Sequence, residues 1–354
     1  MNQYRLLSLL LLPLLSLAQG RKYSNAFLNI GVDARAFGMG QSVVAGVDDV
    51  TAGYWNPAGL TQVQKDWDFA LMHAEYFASL AQYDYAAAAF PIDAVSTGGI
   101  TFLRFGVDDI PDTSELIDQD GNVDYNRIRL FSAADYALMF SYARKIEQVE
   151  GLSLGGNVKL IYRNIGRFAN AYGFGFDLGA QYRRGRYAFG ATLRDATSTF
   201  NIWSIKEEEL SGVFAQTGNE LPGNDLELTI PRLIIGASSQ WDLDERYALK
   251  AELNAEFTFD GQRNTLVSAN FGNIDPRLGL ELGYKGFAFL RGGIGNFSRT
   301  LNFDGKQVYS WQPNMGIGFY FKGISIDYAL TDIGDQSAAL YSNIFSLKYR
   351  LKRS

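Results

Sequence analysis

Residues 247–259 read Tyr-Ala-Leu-Lys-Ala-Glu-Leu-Asn-Ala-Glu-Phe-Thr-Phe. Tyr247, Leu249, Ala251, Leu253, Ala255, Phe257 and Phe259 share one parity. Lys250, Glu252, Asn254 and Glu256 share the other, with Ala248 and Thr258. Side chains alternate across a strand, so this is a strand with one apolar and one charged face. The pattern recurs where Phe174, Phe176, Leu178, Ala180 and Tyr182 alternate with Gly175, Asp177, Gly179 and Gln181, and again over Phe345–Leu351. Strands of soluble sandwiches run about five or six residues. Several here are nine to thirteen long, the length of a tilted membrane-spanning strand.

Fourteen such segments follow one another, near 67–76, 82–91, 97–106, 135–144, 151–163, 172–183, 186–194, 231–240, 247–259, 276–284, 287–297, 311–321, 324–331 and 343–351. Their connections sort by length. One side has only short links, such as Lys285-Gly286 and Lys322-Gly323, while the other carries Val107–Ala134, Asp195–Ile230, Gly261–Asp275, Ser298–Ser310 and Asp332–Ser342. Short periplasmic turns and long extracellular loops are the rule of outer-membrane barrels. The expected fold is all-β: a 14-stranded antiparallel transmembrane outer-membrane β-barrel over residues 66–354.

Composition agrees. The 354 residues include 37 glycines, no cysteine and 14% aromatics, with a formal net charge of −6. Absence of cysteine removes disulfides, thiol catalysis and Cys-based metal sites. The acidic balance, without a basic patch, argues against a nucleic-acid partner. Arg5, the apolar run Leu6–Leu17 and the small-x-small site Ser16-Leu17-Ala18 predict a secretory signal peptide over 1–18.

Between leader and strands lies Ala34–Leu60, ARAFGMGQSVVAGVDDVTAGYWNPAGL. Gly38, Gly40, Gly46, Gly53 and Gly59 interrupt it too often for a long helix. Asp48 and Asp49 are expected to cap a short turn through Ala52, and Asn56-Pro57 to force a tight turn. Segment 19–65 is therefore expected to be a compact plug anchored by Phe37, Met39, Tyr54, Trp55 and Leu60. Its charges Arg35, Asp48 and Asp49 are expected to pair with lumen groups such as Lys159, Arg163, Glu252 or Glu256.

Gly38-Met39-Gly40, then Asp48-Asp49 through Trp55-Asn56-Pro57-Ala58-Gly59, resembles the N-terminal signature of the PorV/PorQ family, outer-membrane proteins of the Bacteroidota type IX secretion system related to the FadL fatty-acid transporters. The resemblance implies that this segment is a hatch inside the barrel. It also implies an outer-membrane protein of a Bacteroidota-like cell, with the translocon barrel, secreted cargo carrying a C-terminal secretion domain, surface sortase or attachment proteins and outer-membrane lipid as partners. A FadL-like channel for hydrophobic small molecules is the alternative. An accessory barrel holding one surface protein is a third.

Other features are weaker. In the Asp195–Ile230 connection, Ile202, Trp203, Ile205, Leu210 and Phe214 surround an acidic run and form either a partner-binding segment or a self-packed lid. Asp118–Asp124 has alternating carboxylates, but its glycine falls too early for a calcium loop, and a hairpin turn is preferred. His73, the only histidine, has no nucleophile motif around it. No catalytic residue, metal site or cofactor is expected.

Overall fold

The computed structural model describes residues 24–63, 66–77, 79–117, 121–217, 220, 226–301, 304, 306–331 and 342–352. The predicted leader, residues 19–23, Asp118–Asp120 and most of Asp332–Ser342 lie outside them. Seventeen strands form one antiparallel sheet: β1 (Asp66–Tyr76), β2 (Ala81–Pro91), β3 (Ser96–Asp112), β4 (Arg129–Lys145), β5 (Leu152–Ile165), β6 (Ala169–Arg184), β7 (Tyr187–Arg194), β8 (Thr199–Ile205), β9 (Leu226–Thr229), β10 (Arg232–Asp242), β11 (Tyr247–Thr258), β12 (Val267–Ala269), β13 (Gly272–Tyr284), β14 (Ala288–Leu301), β15 (Gln307–Phe321), β16 (Ile324–Thr331) and β17 (Ser342–Lys352).

The last strand pairs with the first, with Leu71 opposite Leu347 and Phe69 opposite Tyr349. That closes the wall and leaves no sheet edge exposed to lipid. Fourteen strands make the wall, because β7 pairs directly with β10. The β8–β9 hairpin continues the wall above them against β6, and β12 lies beside the start of β13. Every predicted segment is a wall strand.

The wall strands outrun the predicted segments at their extracellular ends. β3 and β4 each reach 17 residues. Above the membrane both faces meet water, so the apolar alternation fades although the pairing continues. A register shift between Val107 and Ile110 also breaks the period there. At the opposite end the links are tight. Lys285-Gly286 and Lys322-Gly323 hold positive φ at both residues (50° and 62°, 48° and 90°), the geometry of a two-residue hairpin turn matching strand twist.

The parity read from 247–259 sorts the faces as expected. Leu253 on the outer face is 56% exposed, whereas Glu252 is 1% exposed in the lumen. Trp67, Tyr142, Tyr187, Tyr247, Tyr284 and Tyr349 stand on the outer face near the short turns, an aromatic girdle at the membrane boundary.

Residues 24–63 fill the lumen. Two 3-10 turns (Ala26–Asn29, Pro57–Gln62) and two short helices (Ala34–Gly38, Ala52–Trp55) form the hatch. Most of its residues are buried, with Val32, Met39, Val44, Val50 and Leu60 essentially inaccessible. Where hatch backbone runs along the wall, the wall carries glycine. A Cβ added to Gly293 would fall on the backbone of Met39 and Gly40, and one on Gly155 on that of Pro57 and Ala58.

Gly293→Val is therefore expected to leave a barrel that migrates as folded on gels but to displace the hatch. Limited proteolysis would show new cleavage between residues 24 and 63. Unchanged protection would refute the close-approach role.

Candidate functional site

The lumen has two chemically different sides. Along β1–β5 it presents Met72, Tyr83, Leu103, Met139 and Ile161, which join Phe27, Leu28, Val50, Tyr54 and Trp55 of the hatch in one apolar cluster. Around β10–β17 it is charged, and there the hatch is held by a continuous chain of ion pairs. Arg35 makes a two-pronged bond to Glu281, 2.9 Å on each arm, and reaches Asp48 at 3.3 Å. Glu281 also accepts from Arg291 at 2.6 Å, and Arg291 donates to Asp327 at 2.6 Å. Lys348 lies 3.8 Å from Asp327 and bonds Asp33 and Asp49 of the hatch at 3.0 Å each. Forked guanidinium–carboxylate bonds of this kind fix orientation as well as charge.

Hatch backbone is clamped as well. Glu252 accepts from the amides of Ala45 and Gly46 at 2.7 and 2.9 Å, and Lys250 donates to Gly46 O at 2.7 Å. Gln181 donates to Ala45 O and Val47 O, both at 2.9 Å. Arg194 donates to Tyr54 O at 3.2 Å, with its guanidinium 4.5 Å from the Tyr54 ring centroid and 5.4 Å from that of Trp55. A cation over two faces in a desolvated site is strongly held.

The motif residues of the hatch converge on these contacts. Gly38 lies against Gly316, Met39 against Gly279 and Gly40 against Gly293. Asn56 donates to Val44 O at 2.9 Å and to wall atom Ala180 O at 3.0 Å, while its oxygen accepts from Ala58 N. Pro57 and Ala58 sit over Gly155, Gly59 rests on Val47, and Trp55 donates to Val32 O at 3.1 Å. Asp49 receives the Thr51 amide at 3.0 Å and caps the turn before the Ala52–Trp55 helix. Asp48 caps nothing there and pairs with Arg35 instead.

The expected partners of Arg35, Asp48 and Asp49 need correction. Lys159 is taken by Asp177 (2.8 Å) and Asp195, Arg163 by Asp135 and Glu227, and Glu256 by Arg232 and Arg277. The hatch charges instead reach Glu281 and Lys348. Arg194, Arg291 and Asp327 escaped the sequence reading. Their signal was a lone charge on the lumen parity of a mostly apolar or glycine-rich strand.

The Ile202–Phe214 residues are divided between two elements. Ile202, Trp203 and Ile205 lie in β8, and Leu210 and Phe214 on the helix Glu207–Thr217. Ile202 is 65% exposed, whereas Trp203 turns inward, donating to Glu227 at 2.8 Å beneath Arg163. His73 faces outward and bonds Asp84 at 2.7 Å, and the Ser79 hydroxyl bonds Glu75 rather than His73. Ile117 and Val123 form an isolated antiparallel bridge, and Asp118–Asp120 between them lie outside the described residues.

No protein-family model matches the chain, and no curated protein matches it. Solved structures do. A monoaromatic hydrocarbon channel, CymD, aligns over 92% of this chain and 98% of its own at TM-score 0.55 and 13% identity. The toluene transporter TbuX of Ralstonia pickettii gives 0.53 over 92% and 99% at 13% identity. The toluene transporter TodX of Pseudomonas putida gives 0.55 over 91% and 99% at 11% identity. The fold these channels share with the chain is a closed barrel, here of 14 antiparallel wall strands. The chain is accordingly a multi-pass β-barrel of the outer membrane, and its similar solved structures are transport channels.

Two predictions concern the charged side. Lys348→Met leaves Asp33, Asp49 and Asp327 buried without their shared cation, a loss of about 3–5 kcal/mol. Hydrogen exchange should rise across residues 24–63 while the wall stays protected, and equal exchange in both proteins would contradict the role of Lys348. Acid should act similarly. Burial opposes ionisation of Asp49, yet Lys348 and Arg35 hold its carboxyl well below the usual carboxylate range. Asp48 is lowered too: burial opposes its charge, and Lys250 and Arg35 prevail. Asp33 moves up, because burial outweighs Lys348, and offsets part of the effect. A lowered carboxyl stabilises docking above its free value of about 3.9, and that contribution fades as pH falls below it. Hatch protection should therefore hold at about pH 5 and weaken below about pH 4, read by pH-dependent exchange. Unchanged protection well into acid would overturn this.

Proposed function

We propose that the chain is a FadL-like outer-membrane channel for small hydrophobic molecules, closed by its hatch in the state described. The observation that carries this reading is the apolar side of the lumen. There Tyr83, Leu103 and Met139 belong with Phe27, Leu28 and Tyr54 of the hatch to one buried hydrophobic cluster, a surface an apolar solute can follow once the hatch shifts. Likeness to hydrocarbon channels over nearly the whole length of both chains supports the same reading. The purified barrel should release a hydrophobic solute on solvent extraction, seen by mass spectrometry, and Leu103→Asp should lose it. An extract matching the detergent blank from both proteins would refute the channel.

A second reading has separate support: an outer-membrane partner in type IX secretion that binds cargo through its C-terminal domain and hands it to the attachment machinery. The stretch carrying the PorV/PorQ resemblance supplies Arg35, Asp48, Asp49 and Asn56, the groups that pin the hatch. A barrel so firmly closed suits work done by its rim. A gentle detergent pull-down of the tagged protein from its native membrane separates the two. Co-purification of a giant translocon barrel, a sortase or cargo sharing a C-terminal secretion domain favours the secretion role. The barrel alone with extractable hydrophobe favours the channel.

A further inference from the structure

On the extracellular face of the hatch, between the ends of β1, β14, β15 and β16, lies a cavity of about 260 Å³. Its chemistry differs from everything else in the lumen. Five carboxamides border it, those of Asn29, Gln41, Asn296, Gln312 and Asn314. Its one charged group, Arg277, is already answered by Glu256 at 3.0 Å and Asp275 at 3.1 Å. The lining is thus neutral and rich in groups that donate and accept at once.

The amides are held in place. Gln41 donates to Ile30 O at 2.8 Å and accepts from Arg277 at 2.5 Å. Asn296 donates to the Gln312 side chain at 3.1 Å, and Asn314 to Gln312 O at 3.2 Å. Each of those bonds uses one N–H, so the second N–H and the carboxamide oxygen of Asn296 and Asn314 can meet a ligand. Gln41 and Asn296 both have positive φ, 62° and 51°, a strained state that persists where surrounding structure imposes it and that gathers at binding sites. For Asn296 the cause is local: it sits in the β14 bulge between Gly295 and Ser298, which re-aims its side chain. Phe37 and Tyr76 add ring surface at the cavity wall.

We propose that this cavity binds one neutral sugar ring, either a free monosaccharide or the terminal residue of a surface glycan. Hydroxyls donate and accept in the pattern that carboxamides complement, and a ring's C–H face suits Phe37 or Tyr76. A hydrocarbon would strip water from these amides without replacing its hydrogen bonds. An anion would find no cation to spare, and a cation no free carboxylate. The volume of about 260 Å³ is sufficient for one sugar ring.

The test is saturation-transfer NMR on the detergent-solubilised full barrel, with glucose, galactose, mannose and N-acetylglucosamine as free sugars and as methyl glycosides. Transfer to at least one sugar is expected, with binding at least tenfold weaker in Asn314→Leu and in Asn296→Ala. Asn296 lies at the exposed rim, so its variant should keep the folded gel mobility even if Asn314→Leu does not. Binding of the free sugar alone points to a solute, and binding of the glycoside as well to a glycan end. No transfer from any sugar, or transfer unchanged in Asn296→Ala, overturns the proposal. Toluene transfer abolished by the same variants would overturn it too, whereas failure of the hydrophobic channel leaves it standing.

Discussion

Everything about this lumen depends on how buried charge is neutralised. Arg35, Glu281, Arg291, Asp327, Lys348, Asp33 and Asp49 are linked in one chain from hatch to wall, with Asp48 joining at Arg35. Each group would cost several kcal/mol if left buried alone. Loss of Lys348 strands Asp33 and Asp49 together, so hatch and wall are one electrostatic unit. The apolar side of the same hatch is held mainly by non-directional contacts, together with neutral hydrogen bonds from Thr97 to Val63 O, from Asn157 to Gly53 O and from Thr61 to Ser153. The hatch is therefore tied by charge along β10–β17 and by fewer, neutral bonds along β3–β5.

The wall glycines and backbone clamps serve the same end. Hatch backbone lies directly against strand backbone at Gly293 and Gly155, and elsewhere in the hatch the buried carbonyls and amides of Ala45, Gly46, Val47 and Tyr54 are claimed by Gln181, Glu252, Lys250 and Arg194. Buried backbone polar groups need such partners. The hatch, with little regular structure of its own, borrows them from the wall.

The barrel was legible because membrane strands must alternate and because turns and loops fall on opposite sides. Lys285-Gly286 and Lys322-Gly323 could be placed as turns from two letters each. Strand extension above the membrane could not, since water on both faces erases the period that reveals β3 and β4 lower down. Asn56 was legible as a local turn, through Ala58, but its bond to Ala180 O spans 124 residues and leaves no trace in spacing. Partner choice was the weakest point. Parity puts Lys159, Glu252 and Lys348 in the lumen alike, and only the angular position of each strand around the barrel decides which of them meets Arg35 or Asp49.

Lys348 sits on the final strand, 315 residues after Asp33 and 299 after Asp49. It reaches the lumen only in the observed closure, with Leu347 opposite Leu71. A slip of one residue between β17 and β1 would turn Lys348 to lipid and Leu347 inward, and the hatch would lose its cation. The hatch, which precedes every strand in the chain, thus waits for the last strand to arrive. A barrel sealed one residue out of register would leave the hatch without the Lys348 latch.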